Sequence, residues 1–285
     1  MQLSDPDSIT ERGKASVTSQ VAFSFLLCAT LLVGGCGRTS SEVAAAGGAT
    51  GSGGESTGGS NTGGQGHEPR DCEGDFSFDD PGVEAQVRAA LEYPEGPLGP
   101  EVERLMILEL TNVASLGGME CLVALEGLKV EGGTVNDLAP LRELPLHSLR
   151  VFDLPVTDIE PLASLADLWM LDLYDVPVAD LLPLSPLRKL NYLGLMRTQV
   201  TSLAGLEGDH LTHLGVMYSP LEDISALAGQ EQLIEVGLVQ TQVTDLSSLL
   251  FAPANAESCV FLAVDGSPLS EHTIDVVVPQ LCELG

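Results

Sequence analysis

A chain of 285 residues holds one or two domains with a sizeable core, and its composition, 44% hydrophobic but only 4% aromatic, makes that core aliphatic. The formal net charge of −29 argues against nucleic acid as a partner, because cations are needed to displace counterions from phosphates. It argues equally against docking on an anionic membrane through a basic face, and it gives the folded part a solvated surface.

The N-terminus reads as an address. Residues 21–35 form an apolar run shorter than a bilayer-spanning helix, preceded by Arg12 and Lys14 and closed by small residues, which is the layout of a secretory signal peptide. Asp5, Asp7 and Glu11 depart from a purely basic leader. The end of the run, Leu32-Val33-Gly34-Gly35-Cys36, resembles the lipobox of bacterial lipoproteins. The resemblance implies a signal peptide over 1–35, cleavage before Cys36 and lipidation of that cysteine, with acyl chains enough for durable anchoring. Gly37, in place of Asp, fits sorting to an outer membrane where the cell has one. A Gly/Ser-rich tether over 36–71 follows. It is too poor in apolar side chains to fold and has a reach of about 30–35 Å.

A cap over 72–104 comes next. Phe76-Ser77-Phe78-Asp79-Asp80-Pro81, followed by Val83, Val87, Ala90 and Leu91, predicts an amphipathic helix with Asp80 as N-cap and Pro81 at its first position.

From Leu105 the chain repeats. The clearest units are Leu168-Trp169-Met170-Leu171-Asp172-Leu173, Leu190-Asn191-Tyr192-Leu193-Gly194-Leu195, Leu211-Thr212-His213-Leu214-Gly215-Val216 and Leu233-Ile234-Glu235-Val236-Gly237-Leu238. Aliphatic residues recur five, eight and eleven positions after the last residue of each. Aligned on that residue, eight units fall at Leu110, Val130, Leu154, Leu173, Leu195, Val216, Leu238 and Val264, with intervals of 20, 24, 19, 22, 21, 22 and 26 residues. That period belongs to stacked repeats.

The pattern resembles the internalin-like class of bacterial leucine-rich repeats over about residues 76–285. The resemblance implies an α/β leucine-rich-repeat solenoid over 105–268, with parallel strands on the concave face and short 3₁₀ or irregular returns on the convex face. A helical cap precedes such repeats in many bacterial proteins, and a second cap is expected over 269–285. A repeat of this length leaves no room for a full helix, and Pro140, Pro161 and Pro183 fall in the returns, where they would break one. Thr157, Thr198, Ser219, Thr241 and Ser267 stand where the family usually has Asn, and their hydroxyls are expected to bond the turn backbone. Asp137, Asp180, Asp223 and Asp245 recur seven residues past each aligned position. They are expected to cap the returns rather than form a metal ladder. Ser270 is the expected cap of a C-terminal helix whose apolar face, through Ile274, Val277, Val278 and Leu281, closes the last coil.

Beyond Cys28 and Cys36, four cysteines remain in an oxidising compartment: Cys72, Cys121, Cys259 and Cys282. Of three connectivities, Cys72–Cys121 and Cys259–Cys282 join residues near each other along a solenoid. Each pair would staple a cap to its neighbouring coil.

No nucleophile elbow, phosphate loop or metalloprotease helix is present. The five histidines are scattered, and His210 and His213 flank a strand start. No enzyme activity, cofactor or metal is expected. The concave face is the candidate site. Strand alternation sends outward a middle row of Lys129, Asp153, Asp172, Gly194, Gly215, Gly237 and Ala263. It is flanked by Met170, Tyr192 and His213 on one side and Tyr174, Met196, Met217 and Val239 on the other. A glycine floor between Tyr and Met rims reads as an exposed apolar patch for a protein or peptide partner. The expected protein is a monomeric, envelope-anchored recognition module that meets the membrane through its lipid alone. The alternative is an envelope or adhesion spacer with no dominant patch.

Overall fold

A computed structural model describes Cys72 and residues 76–208, 210–251 and 261–284. The signal peptide, Cys36 and the tether lie outside the described residues. Eight parallel strands form one open sheet in chain order: β1 (Ile107–Val113), β2 (Gly127–Gly133), β3 (Ser148–Phe152), β4 (Met170–Tyr174), β5 (Tyr192–Met196), β6 (His213–Met217), β7 (Glu235–Val239) and β8 (Phe261–Ala263). Among the described residues, the connections from β1 through to β7 are short returns, so each of these coils stacks on the one before it. The inward pairs, among them Leu108 and Leu110, Leu171 and Leu173, and Leu214 and Val216, are at most 2% exposed. Burying each such side chain contributes about 1.5–3 kcal/mol, and in a solenoid that contribution depends on the adjacent coils.

The returns are 3₁₀ turns, among them Ala139–Leu141, Glu160–Ser164 and Leu182–Leu184, which carry Pro140, Pro161 and Pro183 in their first positions. Proline fits there because its missing N–H has no partner in the turn. Ahead of five of the turns an Asp accepts from the backbone N–H two residues on. Asp137, Asp158, Asp180, Asp223 and Asp245 make this bond at 2.8–2.9 Å. In the fifth coil Ser202 does the same for Ala204 at 3.2 Å and donates to Asp223 at 3.0 Å. The Asp row is therefore a set of local caps, as its position predicts, with Asp158 as an additional member.

The third coil departs from the register that the periodicity predicts, which brings Asp158 into this row. Val151, not Leu154, pairs with Val130 and Leu173, so the intervals of 24 and 19 become 21 and 22. Three consequences follow. Arg150 replaces Asp153 in the middle row of the concave face. Leu154 takes the position after the strand and is buried. Thr157, expected there, is exposed. The hydroxyl row begins only at Thr198. Thr198 pairs with Ser219 at 3.1 Å and Thr241 with Ser267 at 2.8 Å, while Ser219 and Ser267 also donate to the carbonyls of Met217 and Leu238.

Each strand ends on a left-handed residue. Asn112, Asp153, Asp175, Arg197, Tyr218 and Gln240 have φ between 51° and 56°, and Gly132 and Gly266 occupy the same place in their coils. The N–H of this residue extends the ladder by one rung, as in Asp175 to the Met196 carbonyl at 2.8 Å and Arg197 to the Met217 carbonyl at 2.9 Å. At Asp153, Asp175, Arg197, Tyr218 and Gln240 a hydrogen bond to the next coil thus offsets a conformation that costs a non-glycine residue about 1–2 kcal/mol.

Both ends of the sheet are capped. Helix α1 (Pro81–Ala90) buries Val83 and Val87 and is N-capped by Asp80. One Asp80 oxygen accepts from Gly82 N at 2.6 Å and the other from Ala114 N at 2.5 Å, which ties the helix start to the first coil. Gln86 uses its amide to pair with both the N–H and the C=O of Thr111 on the edge of β1, blunting an edge open to foreign strands. Cys72 and Cys121 are disulfide-bonded across 49 residues, worth about 4 kcal/mol by loop-closure entropy. Cys259 lies outside the described residues, and with it the second expected pair. At the C-terminal end Ser270 accepts from Thr273 N at 3.1 Å. A π-helical turn over Thr273–Val277 leads into α2 (Val278–Leu284). The wider turn puts Thr273 and Val277 inside and leaves Ile274 53% exposed, against its expected place on the apolar face. Among the described residues no helix is long and apolar enough to cross a membrane.

Candidate functional site

Strand alternation sends three rows of side chains to the concave face, and the register fixes their order. The first row runs Ser148, Met170, Tyr192, His213, Glu235. The middle row runs Glu109, Lys129, Arg150, Asp172, Gly194, Gly215, Gly237. The third runs Phe152, Tyr174, Met196, Met217, Val239. All ten residues singled out by the sequence therefore share one surface across β4–β7.

They are not equally accessible. Met170, Asp172 and Tyr192 are only 3%, 2% and 4% exposed, while Tyr174, Met196, His213, Met217 and Val239 are half-buried. The expected open patch from Met170 to Val239 is closed at its β4 end. On a concave sheet the rungs converge on the inner side, and tall side chains shield one another. Phe152 stacks edge-to-face on Tyr174 at 5.1 Å, and the Tyr192 ring lies 6.1 Å from that of His213. What remains partly accessible is the half-buried border of a trough, Met196, Met217 and Val239 on one side and His213 and Glu235 on the other, over a glycine floor that is itself buried.

The middle row carries its charges, Glu109, Lys129, Arg150 and Asp172, on β1–β4. Lys129 pairs with Glu131 at 2.6 Å and stands 5.4 Å from the Phe152 ring centroid. Asp172, one strand beyond Arg150, leans over Gly194. A β-carbon on residue 194 would fall inside contact distance of Asp172 Oδ1 and 2.9 Å from the Tyr174 hydroxyl. Burial pushes the Asp172 carboxyl up to about 6, against the lowering effects of a hydrogen bond from Tyr174 and the charge of Arg150. Burial likewise holds the Tyr192 phenol neutral, reinforced by the negative charge of Asp172. The Oδ1 atom of Asp172 is buried and has no hydrogen-bond partner among the described residues.

No protein-family model matches the chain, and no curated protein matches it. Solved structures do. An internalin (inlF) from Listeria monocytogenes is 25% identical with a TM-score of 0.64, over 71% of this chain and 61% of that one. Internalin C2 from the same species is 22% identical with a TM-score of 0.65, over 73% of this chain and 91% of that one. The chain has the internalin-like leucine-rich-repeat fold. A leucine-rich-repeat protein of Leptospira interrogans shares the fold at 20% identity and a TM-score of 0.55, over 64% of this chain and 48% of that one. The chain thus spans less than two thirds of the internalin (inlF) chain it matches.

Within this internalin-like sheet, sequence reasoning missed Arg150, Phe152 and Glu235 as concave-face residues. The signal for the first two was present. Leu146-His147-Ser148-Leu149-Arg150-Val151 carries the same six-residue pattern as Leu190 to Leu195. Glu235, a charged residue in the first row beside His213, carries no apolar signal that would mark it as part of a patch.

Proposed function

We propose that this protein is a surface-anchored recognition module that binds a protein or peptide partner through the trough on β5–β7. The observation that carries the reading is the row of small residues, Gly194, Gly215 and Gly237, flanked by half-buried Met196, Met217, Val239 and His213. Backbone-floored troughs with methionine borders suit an inserted chain, because Met adapts its shape to varied contacts. The likeness to internalins supports a scaffold for protein interaction, and the face itself is chosen on its chemistry. The module stands on the tether over 36–71 and is held to the bacterial envelope by lipid on Cys36. It works by binding, without catalysis.

The test is capture from intact cells by the wild-type chain and by a Met196→Asp, Met217→Asp double variant. Loss of the cross-linked partner supports recognition through the trough. Unchanged capture, or attachment to the envelope with no partner dependent on these residues, favours a spacer. A Cys36→Ser chain released into the medium would support the lipid anchor.

A further inference from the structure

The reading above leaves the partner's chemistry open, and the inference drawn here rests on it. Three observations at the β4 end of the trough bear on that chemistry. Asp172 is 2% exposed and its Oδ1 lacks a hydrogen-bond partner among the described residues, an arrangement that costs free energy unless a donor arrives. The carboxyl already takes a hydrogen bond from Tyr174, so one oxygen is engaged and one is vacant. Over Gly237, by contrast, a β-carbon would meet nothing closer than 3.8 Å, with the Met217 methyl at 4.0 Å. The floor at β7 therefore has room for an added carbon beside flexible apolar side chains, whereas the trough is closed at β4 by an acceptor without a donor.

We propose that this trough takes a lysine side chain of the partner, its methylenes lying over Gly237 and Gly215 and its ammonium donating to Asp172 Oδ1. A slim polymethylene chain matches a glycine floor between Met196, Met217 and His213. A single vacant oxygen suits the point charge of an ammonium rather than the two-pronged guanidinium, which seeks both oxygens of a carboxylate. The sign of the field agrees. Glu235 stands at the open end, and the concave-face cations Lys129 and Arg150 lie on β2 and β3, on the far side of Asp172. Rotation of the Tyr192 side chain, which adjoins the carboxyl, opens Oδ1 to the incoming group while Tyr174 keeps its hydrogen bond to the carboxyl. The raised pKa of Asp172, about 6, supports the assignment, because ammonium binding stabilises the ionised form and releases a proton near that pH. The groups facing Asp172 are Arg150 from β3, Tyr174 on β4, Tyr192 from β5 and, further along, His213 and Glu235.

The test uses n-butylammonium as probe and the full chain labelled with ¹⁵N-glycine. Gly237→Ala, which the space above that residue accepts, serves to assign one of the three resonances. Saturable shifts are expected at Gly194, Gly215 and Gly237 with n-butylammonium and none with butan-1-ol. Affinity should fall at least about tenfold in Asp172→Asn, and likewise from pH 7.5 to about pH 5 in the wild type but not in that variant. A second variant, Gly194→Ala, displaces the carboxylate and should also lose the site; circular dichroism verifies folding of both. Shifts that are absent, that persist equally in Asp172→Asn, or that butan-1-ol reproduces would overturn the proposal. Partner capture abolished by the Met196→Asp, Met217→Asp variant, with no butylammonium site, removes only this inference. A butylammonium site alongside unaffected capture removes the reading of function instead.

Discussion

Asp172 and Gly194 are lateral neighbours in the ladder, and the carboxylate of the first occupies the space where the second would carry a side chain. Gly194→Ala therefore forces Asp172 and Tyr174 to move within a crowded inner face. The expected loss is about 1–3 kcal/mol, the usual range for overpacking. Gly237→Ala, with only ordinary contacts around its new methyl, should change stability by less than about 0.5 kcal/mol. Urea unfolding of the two variants decides between them.

The pH dependence of stability carries the mark of Asp172. Its folded-state pKa is raised from 3.8 to about 6, so between those values the folded chain holds a proton that the unfolded chain has released. Stability from this group is present at low pH and is lost as pH rises through about 6, by roughly 3 kcal/mol at most. Asp80, Asp223 and Asp245 act in the opposite sense. Each is lowered, chiefly by hydrogen bonds from Ala114 N and from Ser225 and Ser247 respectively, and each loses its contribution on acidification below 3.8. Asp172→Asn should accordingly gain stability relative to wild type as pH rises from about 4 to 7. A constant difference across that range would contradict the assignment.

The left-handed row predicts a gain. Asp153 holds φ 51° at an exposed site, a conformation that glycine adopts without steric cost. Asp153→Gly should stabilise the protein by about 0.5–1 kcal/mol in thermal or chemical unfolding. The reverse change at Gly132, φ 69°, to Val should destabilise by at least as much.

Asp80 holds two donors at once, Gly82 N in α1 and Ala114 N in the first coil. Asp80→Ala should cost about 1–2 kcal/mol, and hydrogen exchange should quicken at Gly82 and Ala114 together.

Much of this architecture is legible in the residues. The six-residue strand pattern, the prolines in the returns and the Asp80-Pro81 helix start each reflect a local rule that the fold obeys. The third coil shows where periodicity misleads. Val156, Ile159, Leu162 and Leu165 are all buried and spaced by three, so a slip of three residues matches aliphatic to aliphatic and leaves no conflict. Only the full strand pattern, or the left-handed residue two places on, fixes the register. The accessibility of the candidate site was not legible either. Alternation assigns Met170, Asp172 and Tyr192 to the concave face, but their burial depends on how Phe152, Tyr174 and His213 lean across neighbouring rungs, which is a property of curvature and rotamer.

The claim that the trough on β5–β7 is the recognition surface is tested most directly by hydrogen–deuterium exchange on the protein with its cross-linked partner, compared with the protein alone. The account predicts slowed exchange at residues 192–197, 213–218 and 235–240, with the Asp-capped returns on the convex side unchanged. Protection confined to those returns or to the caps, with the three strands unaffected, would contradict it.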